Sequence, residues 1–158
     1  MKISYNWLKE ITDVPLEPNE VADVLTNLGF ETSVAATGYD FKGVVVGLVS
    51  SKRKHPSADR LSLCTVTDGK ESCQVVCGAP NVAEGQKVPF AKIGARLGGI
   101  EITKTQIRGV DSAGMICSEK ELGIGEDASG IMVLGDDMTP GTDFSEVYLN
   151  DFILDVEP

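Results

Sequence analysis

The sequence predicts a mainly β fold with a few short helices, on three observations. From Phe41 onward, short runs of aliphatic and β-branched residues alternate with glycine-rich punctuation, the pattern of a small closed or half-closed barrel. Helical spacing is confined to residues 1–29 and to one capping-box turn at Ser118. The chain has 158 residues, 42% of them hydrophobic, which is enough to fill a core. No apolar stretch approaches the ~20 residues that span a bilayer.

Taken in order, Ser4 is a good N-cap for a helix to about Ile11, with Ile3 and Leu8 spaced as a hydrophobic staple. Trp7, Leu8 and Ile11 are expected on its buried face. Asp13 to Pro15 break the pattern, and Pro18 suits the first turn of a second helix. There Val21, Val24, Leu25 and Leu28 recur at i, i+3, i+4 and i+7 before Gly29, a natural C′ residue. Residues 30–36 read as extended. Strands are expected at residues 44–49, 61–67, 72–77, 87–93 and 100–107, with a further one at 131–134. Asp68-Gly69, Asn81, Glu84-Gly85 and Gly98-Gly99 punctuate them, and Asp68-Gly69 is a specific hairpin signal. Ser118 with Glu121 forms a capping box before Gly123. Residues 143–150 bridge to a last strand at 152–156, expected to pair with 30–36 and give the first two helices a surface to cover.

The net charge of −10 is unevenly spread. Residues 1–40 carry 2 basic and 7 acidic side chains, residues 41–109 carry 11 and 5, and residues 110–158 carry 1 and 12. The middle block is therefore cationic, and local charge decides phosphate binding. The first 30 residues hold no signal-type apolar segment, so a cytoplasmic protein is expected. Cys64, Cys73, Cys77 and Cys117 lack the paired spacing of a zinc site and sit among apolar neighbours, so free core thiols and no metal are expected.

No catalytic constellation is present in the sequence. His55 is the only histidine, and its place before Pro56 suggests a loop or a partner for nearby backbone, with an RNA-facing role as the alternative. Adjacent carboxylates such as Glu126 and Asp127 do not converge as an acid/base pair must. Gly123-Ile124-Gly125 lacks the ending of a phosphate loop and reads as turn chemistry. Lys52-Arg53-Lys54 is the one concentrated basic run. Strand alternation sends Lys52 and Lys54 to one face and Arg53 to the other. With Arg60, Lys92, Lys104 and Arg108 on or beside other strand runs, and with His55, these form the candidate nucleic-acid-binding set. Phe90 is the only aromatic in the strand runs between residues 44 and 134, so contact is expected to be phosphate-dominated and weak rather than built on stacking.

Three islands resemble a known family: His55-Pro56-Ser57-Ala58-Asp59-Arg60-Leu61, Val76-Cys77-Gly78-Ala79-Pro80-Asn81, and Gly114-Met115-Ile116-Cys117-Ser118-Glu119-Lys120-Glu121-Leu122-Gly123-Ile124. Together they are similar to the tRNA-binding domain appended to aminoacyl-tRNA synthetases, an oligonucleotide-binding (OB) barrel. Met1-Lys2-Ile3-Ser4-Tyr5-Asn6-Trp7-Leu8, Leu28-Gly29-Phe30-Glu31 and Gly43-Val44-Val45-Val46-Gly47 narrow the resemblance to the start of the bacterial phenylalanyl-tRNA synthetase β subunit. The resemblance implies an OB barrel inserted in a small α+β domain: residues 1–39 helical, 40–149 the tRNA-binding domain, and 150–158 the first strand of the returning domain of a longer chain. It implies tRNA as partner and a synthetase α subunit in an α2β2 enzyme. Aminoacylation would belong to α and editing to later parts of β, with ATP and Mg2+ serving the parent enzyme and no cofactor or catalytic residue here. The alternatives are a barrel that mainly packs within the heterotetramer with little RNA affinity, and a free-standing module for another oligonucleotide or a saccharide.

Overall fold

A computed structural model describes residues 1–37, 40–148 and 151–158. The expected boundaries at residues 39, 149 and 150 fall outside these. In chain order the described elements are β1 (Lys2–Ser4), α1 (Tyr5–Ile11), α2 (Pro18–Asn27), β2 (Glu31–Ala36), β3 (Val44–Lys54), β4 (Ser62–Thr67), β5 (Ser72–Cys77), β6 (Lys87–Ala91), β7 (Arg96–Leu97), β8 (Ile100–Glu101), β9 (Thr105–Ile107), β10 (Val110–Ser112), β11 (Met115–Ile116), α3 (Glu119–Leu122), α4 (Phe144–Val147) and β12 (Phe152–Glu157). The chain divides into two units, one built from both ends (Met1–Tyr39 with Leu149–Pro158) and one from the middle (Asp40–Tyr148).

In the first unit, β12 runs between β1 and β2, antiparallel to both, with Ile3 and Val34 opposite Leu154. The expected two-strand ribbon is therefore three strands, because the first residues pair as well. Ser4 Oγ caps α1 by accepting from Trp7 N–H at 3.1 Å. It also donates to Asp151, whose Oδ1 accepts from Asn6 N–H at 3.0 Å, so the end of the chain helps cap the first helix. In α2, Pro18 stands at the first position and Glu17 and Glu20 form the capping box. Gly29, at φ +100°, ends the helix in a Schellman motif: its N–H donates to Thr26 O and that of Phe30 to Leu25 O. The buried cluster is Tyr5, Val21, Ala22, Leu154 and Val156.

Which helical side chains enter that cluster differs from expectation. Trp7 and Ile11 are 52% and 60% exposed, and Val24 and Leu28 are 46% and 68% exposed. Because α1 leaves β1 directly, its first residue, Tyr5, turns inward, where its hydroxyl donates to Leu16 O at 2.6 Å. On α2 the stripe of Pro18, Val21 and Ala22 faces inward, and Leu28 already lies past the helix end.

The second unit is a five-stranded antiparallel sheet in the order β11-β6-β3-β4-β5, the mainly β, OB-like architecture expected. Strand β3 serves both sides: residues 44–48 pair with β6 and residues 48–54 with β4, with a bulge between Val49 and Ser51. Ala113 N–H donates to Gln74 O at 2.8 Å and Val76 N–H to Ser112 Oγ at 3.0 Å, joining the far edge, β5, to the segment entering β11. The interior packs Val49, Cys64, Val66, Val75, Val88, Phe90 and Ile116. Gly114, at φ +142°, lies under Phe90; a Cβ there would stand 2.5 Å from the ring.

Two expected strands and one connecting segment are revised. Residues 100–107 are not one run: Ala95 accepts from Ile102 N–H, closing a β7–β8 hairpin, and β9 then pairs with the unforeseen β10 across Arg108-Gly109. Residues 131–134 form only an isolated bridge, Leu134 to Lys87. The amide of Asn81 takes both Ile131 groups, accepting from its N–H and donating to its carbonyl at 2.9 Å each, so no ladder forms there. Residues 144–147 form α4 rather than a plain bridge; Asp143 caps it, and Phe144 packs edge-on to Phe41 at 4.8 Å.

Candidate nucleic-acid interface

The outer half of β3 extends past the end of β6, so Lys52, Arg53 and Lys54 all remain exposed. Beside them the chain loops through residues 55–61 and returns as β4. A groove of ≈ 640 Å³ lies between these segments and Gly78-Ala79-Pro80. Lys52, Arg53, Lys54 and Arg60 line it, against a single carboxylate, Asp59. Lys52 Nζ donates to Val82 O at 2.8 Å, which fixes that ammonium near the rim and leaves it hydrogens for another acceptor.

His55 braces this loop from below. It is 4% exposed. Its Nδ1 accepts from Ser57 N–H at 3.0 Å, so Nε2 carries the hydrogen and donates to Ile107 O at 3.0 Å. A residue of β9 is thereby tied to the loop that carries Arg60. Arg108 follows Ile107 in the β9–β10 turn, in the left-handed region at φ 53°, next in the chain to the residue that His55 holds.

The remaining cations lie elsewhere. Lys92 N–H donates to Gly43 O, at the opposite end of β3 from Lys54. There Lys92 Nζ pairs with Asp68 Oδ2 at 2.8 Å. Lys104 Nζ stands 3.7 Å from Asp111, both largely exposed. The structure thus gathers Lys52, Lys54 and Arg60 in one groove with Arg108 and His55 adjoining, and sets Lys92 and Lys104 in ion pairs. Strand alternation places Arg53 on the opposite face, yet it too lines the groove, at the exposed end of β3 beyond the last residue that pairs with β6.

The three buried thiols, Cys64, Cys77 and Cys117, are poor nucleophiles. All four cysteines are free. Burial pushes Cys64 up to about 11 and Cys117 up to about 12, and raises Cys77 as well, so these sulfurs stay protonated near neutrality. Among the described residues no three His, Cys, Asp or Glu side chains are placed to hold a metal ion.

The family described as "Putative tRNA binding domain" matches residues 44–143, which include the whole five-stranded sheet and the groove. This chain belongs to that family. It is also 47% identical over 159 aligned positions to the phenylalanine–tRNA ligase β subunit of Syntrophus aciditrophicus, and 48% identical over 160 to that of Hahella chejuensis. Each alignment takes in 99% of this chain and 20% of the relative, so the chain spans about a fifth of the length of these proteins. A solved structure, a MetRS related protein from Pyrococcus horikoshii, covers 82% of this chain and 97% of its own at 18% identity and a TM-score of 0.48, too slight a likeness to carry an argument.

Proposed function

We propose that residues 40–149 are a tRNA-binding domain, set within a small domain made of residues 1–39 and 150–158, and that the chain is the N-terminal part of a phenylalanine–tRNA ligase β subunit. The observation that carries the RNA reading is the convergence of Lys52, Arg53, Lys54 and Arg60 on one groove of a domain belonging to a tRNA-binding family. Cations on an exposed strand end and its loop hold successive phosphates without reading bases. In the parent enzyme this domain adds tRNA contact to aminoacylation of tRNA(Phe), a reaction using ATP and Mg2+ at a site outside this chain. The partners are tRNA and the α subunit, as an α2β2 enzyme in the cytoplasm. Family membership favours RNA binding over a purely structural barrel.

Changing Lys52, Lys54 and Arg60 together to Glu tests the groove. Three reversed charges should weaken binding to all tRNAs alike by about tenfold or more, while the fold is kept, since all three are exposed and only the Lys52–Val82 hydrogen bond is lost. Undiminished affinity would remove the groove from the account.

A further inference from the structure

A second depression adjoins the basic groove and differs from it in chemistry. It encloses ≈ 710 Å³ and shares Gly78, Ala79 and Pro80 with the groove as a common wall. Ile100, Ile107 and Met115 give it apolar surface, and Ile100 is 69% exposed. Its charged lining is Glu101, Glu121 and Lys120. The Glu121 carboxylate is committed to Ser118, accepting from its N–H and Oγ at 2.9 Å each. Glu101 and Lys120 enter no ion pair among the described residues.

We propose that this cleft seats one unstacked nucleobase of the bound RNA, and that it favours a base with an exocyclic amino group. The inference rests on the reading that the adjoining groove holds RNA phosphates. Two carboxylates against one ammonium make the cleft a poor phosphate site, so the strand cannot simply run on through it as it runs through the groove. A base is uncharged and presents an apolar face to Ile100, Ile107 and Met115. An amino N–H on its edge finds an acceptor in Glu101, as carboxylates accept from cytosine N4. The volume lies within the ~300–1,000 Å³ usual for small-ligand sites. Recognition of RNA sequence works chiefly on bases splayed out of the strand in this way. The His55–Ile107 hydrogen bond holds the cleft's β9 wall to the loop that lines the groove, so phosphate and base are positioned by one connected frame.

The experiment titrates the 158-residue chain at low salt with three single-stranded oligomers of equal phosphate count: oligocytidylate, oligouridylate and an abasic ribose-phosphate oligomer. The cytidine oligomer should bind about fivefold or more tightly than the abasic one, the lower end of what a base contact contributes, with uridine between them and equal salt slopes for all. Glu101→Ala, at an exposed position, should bring cytidine down to the uridine level without altering the slope; Lys54→Gln should reduce the slope and keep the cytidine preference. Equal binding of abasic and cytidine oligomers overturns the base site and leaves the phosphate groove standing. Equal binding of cytidine and uridine overturns the role given to Glu101. Absence of binding by every oligomer at low salt overturns the cleft and the groove together.

Discussion

Asp68 shows how one side chain serves both a turn and an ion pair. Its carboxylate accepts from Lys92 Nζ and from the N–H groups of Glu71 and Lys70, so the Asp68-Gly69 turn is held from both sides. The Lys92 hydrogen bond first, then the two backbone bonds, hold the Asp68 carboxyl well below the usual carboxylate range. Unfolded, the group binds protons more readily, so its contribution is complete above about pH 5 and is lost as pH falls toward the folded value. Urea unfolding should therefore show stability declining from about pH 5 to pH 2, and Asp68→Asn should flatten that decline. At neutral pH the substitution should cost about 1 kcal/mol, a modest figure because Lys92 is partly solvated. Gly114 is a second residue whose identity the fold dictates. Gly114→Ala adds a Cβ against the Phe90 ring at a backbone angle that alanine disfavours, and should destabilise the protein by about 2–4 kcal/mol in the same assay.

Among the elements, β12 is the clearest case of one segment organising others. It pairs with β1 and β2, buries Leu154 and Val156, and follows Asp151, which holds the start of α1. Deleting residues 150–158 should abolish hydrogen-exchange protection across residues 31–36, since β2 has no other partner strand among the described residues. Unchanged protection at Val34 would contradict the pairing. The elements that sequence reading recovered are those decided by neighbouring residues. Ser4, Pro18 and Gly29 mark helix ends, Asp68-Gly69 marks a hairpin, and Ser118 with Glu121 marks a capped turn. Those it missed depend on distant partners. Asn81, 50 residues away, prevents a strand at Ile131; Ala95 divides the run at Ile102; and β1 exists only because β12 returns beside it. The site divides the same way. Lys52, Lys54 and Arg60 were legible as a basic run and an adjoining loop, whereas the groove's Arg53 depended on where β6 stops, and the pairing of Lys92 depended on the register of β3 with β6.

Across the whole chain, function is a matter of charge placement rather than net charge. A protein at −10 can attract a polyanion only if its cations are grouped and its anions are elsewhere. The groove meets that condition, with four cations to one carboxylate, while the most acidic stretch is residues 110–158. With no aromatic in its lining, the proposed groove is expected to bind by phosphate contact, with affinity in the micromolar range or weaker. The measurement that tests this most directly is the salt dependence of tRNA binding by the 158-residue chain. If three or four cations reach phosphates, log K should fall against log salt with a slope of roughly −2 to −4; a slope near zero, or no binding even at low salt, would contradict it.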